Sequence, residues 1–151
     1  MQTNNIKKVL IALDYDPTAK KVAEVGFEMA KAMGAEIILI HVIVDLVTYS
    51  LSYLNMGPLQ SDSGMELKDT SLQFLEKTKQ YLGDLTIQTL IKEGDFSESI
   101  LATAKEINAD CIVMGSHSQK WLENIVMGSV TKEVLRKTTI PLFIVPTKKR
   151  D

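Results

Sequence analysis

Cysteine occurs once among the 151 residues, at Cys111. A lone thiol excludes an intrachain disulfide framework and a Cys-rich zinc centre. Neither sign of charge is in excess: 17 basic residues stand against 19 acidic, a net of −2. That near balance argues against a sequence-independent grip on nucleic-acid phosphates, which needs a basic face. No apolar run approaches the roughly 20 residues of a membrane helix. The polar start, Met1 to Lys8, has no apolar stretch behind it of the kind a signal peptide needs. Several catalytic signatures are also missing: the phosphate loop with its lysine, the Gly-x-Ser-x-Gly elbow, the His-Glu-x-x-His pair and the dinucleotide Gly-x-Gly-x-x-Gly. These absences predict a soluble, reduced, cytoplasmic single domain over residues 1–151, with neither membrane nor nucleic acid as a partner.

What is present is 45% hydrophobic sequence arranged in a regular alternation. A chain of this length buries roughly two thirds of its unfolded surface, enough for a core without disulfides or metal. Val9 to Leu13 is a short apolar run that stops at Asp14-Tyr15-Asp16-Pro17, as a strand buried on both faces does. Pro17 fits the first turn of a helix capped by Asp16, and small or apolar residues follow at helical spacing from Ala19 to Met33. Gly34 is placed to close that helix. Strands are expected again at Glu36–Ile43, Leu85–Ile91, Ala109–Met114 and Pro141–Val145. Helices are expected at Glu66–Leu82, with Leu67, Phe74, Leu75, Thr78 and Leu82 inward, at Asp95–Ile107 and at Val130–Thr138. Leu85–Ile91 alternates more than the others, with Leu85 and Ile87 on one side, and so suits a sheet edge. Strand–helix alternation predicts an α/β fold: a parallel sheet with helices on both faces and right-handed crossovers.

Two connections are long, Val44 to Met65 and Ser116 to Met127. Both follow strands at their carboxyl ends, where open α/β sheets bind ligands. The second begins Gly115-Ser116-His117-Ser118, and nine residues then separate Ser118 from Gly128-Ser129-Val130-Thr131. Glycine allows close backbone approach and positive φ. Backbone N–H groups of Gly128, Ser129 and Val130 at a helix start favour an anion, and the Ser129 and Thr131 hydroxyls add donors. Two such turns facing each other across a loop can hold a polyphosphate. The same pattern also suits a plain strand-to-helix loop with a Gly-Ser cap.

Gly115 to Val130 resembles the Gly-x-x-Gly, nine residues, Gly-Ser signature of the universal stress protein family. Val9 to Asp14, Gly94-Asp95, Ala109 to Gly115, Val134-Leu135-Arg136 and Pro141 to Val145 match the rest of that family's pattern, leaving out only the insert at 44–65. The resemblance implies an open five-stranded parallel sheet of order 3-2-1-4-5, of the adenine nucleotide alpha-hydrolase-like kind. It implies a homodimer, and in one branch of the family bound ATP. On that basis Gly115, His117, Ser118, Gly128, Ser129, Val130 and Thr131 would hold phosphates and ribose. Asp14, with Ala12 and Leu13 before it, would approach the adenosine end or a metal, Mg²⁺ or Mn²⁺. Val42 would give its backbone to adenine, and Met114 adjoins the signature. Ser118 stands where the family has its second glycine. A φ > 0 there would cost a serine about 1–2 kcal/mol, whereas an ordinary backbone would make its hydroxyl an added donor.

Other residues take plainer roles. His117 is a phosphate contact or a solvated loop histidine, and His41, inside a strand, is a hydrogen-bonded structural one. Trp121 anchors its loop against the body or covers the site. Tyr49, Leu51, Tyr53, Leu54 and Met56 form a lid, a contact surface or a packed insert, and Lys148-Lys149-Arg150 is a solvated tail. Cys111 lies in a buried strand and is inert. No residue is set to orient an attacking water, so binding of an adenine nucleotide without rapid turnover is expected. The alternatives are a dimeric protein-interaction module with an empty cleft, and an ATP-using enzyme such as a nucleotidyl transferase. The last strand, Leu142 to Val145, carries no charge and would pair with its own copy in the dimer.

Overall fold

A computed structural model describes residues 5–43, 61–116 and 128–147, with side chains of the 61–82 helix described from Leu67 onward. The expectations placed on His117, Ser118, Trp121, the 44–60 segment with Tyr49 to Met56, and Lys148 to Arg150 lie outside the described residues.

The chain alternates as expected: β1 (Lys8–Ala12), α1 (Ala19–Ala32), β2 (Glu36–Ile43), α2 (Ser61–Leu82), β3 (Gln88–Glu93), α3 (Phe96–Glu106), β4 (Cys111–Gly115), α4 (Ser129–Lys137) and β5 (Leu142–Val145). The five strands form one sheet of order β3-β2-β1-β4-β5. Every pairing is parallel, with Leu10 opposite both Ile38 and Ile112. The apolar runs in β1, β2 and β4 are buried because helices cover both faces. Val9, Ile11 and Leu39 pack with Val22, Ala23 and Ala30 of α1 and Leu75 of α2. Leu10, Ile38, Ile40 and Ile112 pack with Ile100 and Ala104 of α3 and Val134 of α4. In α1, Gly26 sits so close to the sheet that a Cβ there would lie 2.9 Å from Ile11 Cδ1 and 3.2 Å from Val113 Cγ1.

Several boundaries differ from expectation, each for a local reason. Helix α1 starts at Ala19, and its N-cap is Thr18 without a side-chain cap bond. Asp16 Oδ1 instead accepts from Thr18 N–H at 2.7 Å and Thr18 Oγ1 at 2.5 Å, so Pro17 and Thr18 form a turn ahead of the helix. Helix α2 begins at Ser61, so it takes up part of the expected 44–65 connection. Leu67 is 37% exposed rather than inward. Strand β3 starts three residues late because Asp84 folds back on Thr86, accepting from its N–H at 2.9 Å and its hydroxyl at 2.6 Å. Leu85 consequently lies in that turn, 78% exposed, while Ile87 is buried. Met33, the last apolar position expected of the first helix, is its exposed C-cap. Gly34 follows with φ of +65°, closing the helix as expected. β4 starts after Asp110, whose carboxylate accepts the Lys7 and Lys8 N–H groups at 2.9 and 3.0 Å. Strand β3 does lie at a sheet edge. No helix among the described residues is long and apolar enough to cross a membrane.

Candidate functional site

The order β3-β2-β1-β4-β5 reverses direction between β1 and β4. At such a point the connections leave to opposite faces, and a crevice opens beyond the strands' carboxyl ends. A cleft lies there, about 560 Å³ of space continuous with solvent. The end of β1 supplies Ala12, Leu13 and Asp14; β2 supplies Ile40 and Val42; β4 supplies Met114 and Gly115; and the start of α4 supplies Gly128, Val130 and Thr131. Nearly all the described residues predicted from sequence therefore meet in one place. Ser129, the first residue of α4, is exposed and is not part of the lining. The cleft also takes Thr18 from the turn before α1, Ala19 and Val22 from α1, and Phe96 and Ile100 from α3. Ile40 shares a β2 face with Val42, a parity the sequence carried; Phe96 was readable only as a residue at the start of the expected Asp95–Ile107 helix.

The β4–α4 side is held by short polar contacts. Thr131 Oγ1 donates to the Gly115 carbonyl at 2.8 Å, and Gly128 N–H donates to the Ser116 carbonyl at 2.6 Å. Ser116 is tied in turn to β5 and the residues after it: its N–H donates to the Val145 carbonyl, and its Oγ accepts Thr147 N–H at 3.0 Å. Two expectations change here. The Gly128 N–H is engaged by the protein itself, and the Thr131 hydroxyl proton is engaged on Gly115. Gly128 has φ −68° and ψ 162°, an extended conformation that any residue adopts. Among the described glycines only Gly34, Gly83 and Gly94 have positive φ, so Gly115 does not need it either. The first helical bond of α4 runs from Lys132 N–H to the Gly128 carbonyl at 3.0 Å. The N–H groups of Ser129, Val130 and Thr131 precede it and have no partner within the helix. These three, rather than the Gly128 amide, are the N–H groups that the start of the helix leaves without a helical acceptor.

The β1–β2 side is built from strand ends. Leu13 N–H donates to the Ile40 carbonyl at 2.9 Å, and His41 Nδ1 donates to the Leu13 carbonyl at 2.7 Å. A carbonyl can only accept, which fixes the imidazole tautomer. His41 is 8% exposed and meets Phe74 edge-on at 5.7 Å, so it is the hydrogen-bonded structural histidine expected. The Asp14 carbonyl accepts Asp16 N–H at 2.9 Å, which turns the chain out of β1 toward α1. Among the described residues no cluster of three acidic, histidine or cysteine side chains is placed to hold a metal. Among the described residues Asp14 is the one acidic residue in the cleft lining.

A model of the Universal stress protein family matches residues 5–146. The chain belongs to the universal stress protein family. Universal stress protein YxiE of Bacillus subtilis (strain 168) is 30% identical over 144 residues, covering 91% of this chain and 97% of the relative. The solved structure of universal stress protein MJ0577 from Methanocaldococcus jannaschii superposes on this universal stress protein with a TM-score of 0.76 at 27% identity, over 97% of this chain and 99% of that one. Two further solved structures share the fold at lower identity. One is a universal stress protein in complex with cAMP, with TM-score 0.69 and 17% identity over 95% of this chain and 99% of that one. The other is the universal stress protein from Archaeoglobus fulgidus in complex with dAMP, with TM-score 0.63 and 20% identity over 93% and 98%.

Proposed function

We propose that this universal stress protein is a regulatory module that binds ATP or a related adenine nucleotide and does not turn it over rapidly. The observation that carries the reading is the first turn of α4, whose Ser129, Val130 and Thr131 amides have no partner within the helix, with Val130 and Thr131 lining the same cleft as Asp14 and Val42. The helix start would take the phosphates, with Gly115 and Gly128 close beneath them, and His117 and Ser118 completing that side. Ala12, Leu13, Asp14, Val42 and Met114 would surround the adenosine end. The solved relatives complexed with cAMP and dAMP support a nucleotide of this class. One lone carboxylate does not make a protein metal site, so Mg²⁺ or Mn²⁺ would arrive on the phosphates and meet Asp14. Among the described residues no second carboxylate lines the cleft to orient an attacking water, which supports binding without fast chemistry. The cytoplasm, which holds ATP, is the compartment this reading assigns.

Calorimetry with Mg²⁺-ATP tests it. Binding with Kd near 1 μM or weaker, about −8 kcal/mol or less in magnitude, is the expected result. No heat and no thermal shift at millimolar ATP would turn the reading to a dimeric interaction module with a vestigial cleft. The engaged Gly128 amide and Thr131 hydroxyl are the observations that favour that alternative. Either form would dimerise through β5, an edge strand in which Phe143 is 39% exposed. Phe143→Lys should then sediment as a monomer where the wild type sediments as a dimer at tens of micromolar.

A further inference from the structure

The bond between His41 and Leu13 has a consequence for the cleft. Leu13 N–H donates to the Ile40 carbonyl, so the even-numbered residues of β2 face β1. Gly94 N–H donates to the Ile43 carbonyl, so the odd-numbered ones face β3. In a parallel ladder the next bond in the series would run from Val42 N–H to the Leu13 carbonyl. Among the described residues that bond is not made, and the pairing of β1 with β2 ends at Ala12 opposite Ile40. The Leu13 carbonyl takes the imidazole proton instead. Satisfying that carbonyl needs no side chain, because a backbone amide stands next in line for it. Here the imidazole occupies the carbonyl that the next backbone bond would use, and among the described residues the Val42 amide lacks that acceptor; a buried amide without a partner is costly. The arrangement makes sense if the amide left over has another use. Val42 is 4% exposed and lines the cleft, and its N–H faces β1 beyond the last ladder bond. The imidazole is held in place by its edge-on contact with Phe74, itself edge-on to Tyr15 at 5.0 Å.

We propose that His41 is a positioning residue: its Nδ1–H withdraws the Leu13 carbonyl from the β1–β2 ladder and so keeps the Val42 N–H open to an acceptor nitrogen on the edge of a purine base. This rests on the nucleotide reading above, and the test separates the two. His41→Leu removes the donor, while His41→Asn places an amide N–H close to the former Nδ1 position. In ligand-free protein, backbone NMR should show the Val42 amide exchanging with solvent much faster than the Leu13 amide. In His41→Leu the freed Leu13 carbonyl should capture the Val42 amide, slowing its exchange at least about tenfold, and ATP should bind about tenfold more weakly. His41→Asn should retain fast Val42 exchange and near wild-type affinity. A purely structural histidine would lower the melting temperature of both variants without changing Val42 exchange. A Val42 amide already as protected as Leu13 in the wild type overturns the inference whether or not ATP binds. So does unchanged Val42 exchange in His41→Leu. Fast wild-type exchange that slows in His41→Leu, together with no ATP heat, overturns the nucleotide reading, and the base-directed use of the amide with it, while upholding the hold of His41 on the ladder.

Discussion

The two ends of the sheet are finished differently. At the amino end the backbone is closed by its own neighbours. Asp110 accepts the Lys7 and Lys8 amides, Glu36 N–H donates to the Lys7 carbonyl, and Asp110 N–H donates to the Lys8 carbonyl. Lys31 at the end of α1 meets Asp84 at 2.5 Å, pinning the turn that leads into β3. The left-handed positions Gly34 (φ +65°), Gly83 (φ +75°) and Asn108 (φ +56°) make tight reversals there. At the carboxyl end the ladder between β1 and β2 stops one bond short, and the first turn of α4 has amides without helical partners. The amino end is built to hold the fold. The carboxyl end, among the described residues, borders the cleft, the division of labour expected of open α/β sheets.

Substitutions at the two ends should therefore separate binding from stability. The largest effect is expected from Gly128→Val. Its extended backbone accepts a side chain, but the residue is buried beneath the α4 amides, so the added atoms fill the approach to them. Nucleotide affinity should fall at least about a hundredfold, roughly 2.7 kcal/mol, with the fold retained by circular dichroism. An unchanged Kd would break the comparison. At the amino end, Asp110→Ala should cost about 1.5–3 kcal/mol in urea unfolding, because two amides lose a charged acceptor, and nucleotide affinity should not move. Thr131→Val sharpens the contrast within the cleft. With its hydroxyl donating to Gly115, the substitution should cost about 1 kcal/mol of stability and weaken nucleotide binding less than Gly128→Val does. A loss of affinity equal to that of Gly128→Val would make the hydroxyl a direct ligand.

The smallest effect concerns acid. The Lys31 ammonium, then the Thr86 hydroxyl and amide, hold the Asp84 carboxyl down at about 2 from an ordinary 3.8. A carboxylate with a lowered native pKa stabilises the fold above its unfolded value and loses that contribution as pH falls through the native one. The contribution of Asp84 is thus complete above about pH 4 and gone below about pH 2. Asp84→Asn should show a shallower loss of stability across that window than the wild type, with nucleotide binding at neutral pH unchanged. Identical acid curves would remove the ion pair from the account of the amino end.

The alternation of strand and helix, and the gathering of Asp14, Val42, Gly115 and Gly128 at one sheet end, were legible because both depend on local pattern. Apolar runs bounded by turn residues mark buried strands, and in a parallel sheet their carboxyl ends lie together. Strand ends were less legible. The Asp84 turn displaced β3 and exposed Leu85, since a side chain capturing nearby amides competes with the ladder. Likewise Asp16 was readable as a helix cap, but bonded to Thr18 it makes a turn one step earlier.

By itself, then, the amino-acid sequence determined the class of fold, its family and the neighbourhood of the cleft, since periodicity and glycine spacing are written along the chain. Which donors remain open in that cleft was decided only by tertiary structure. Gly128 N–H proved engaged by the distant Ser116 carbonyl, and the Leu13 carbonyl by the His41 imidazole, so that among the described residues no bond joins it to the Val42 amide. Hydrogen bonds between segments far apart in sequence leave no periodic trace, and their competition is resolved only when the chain is folded.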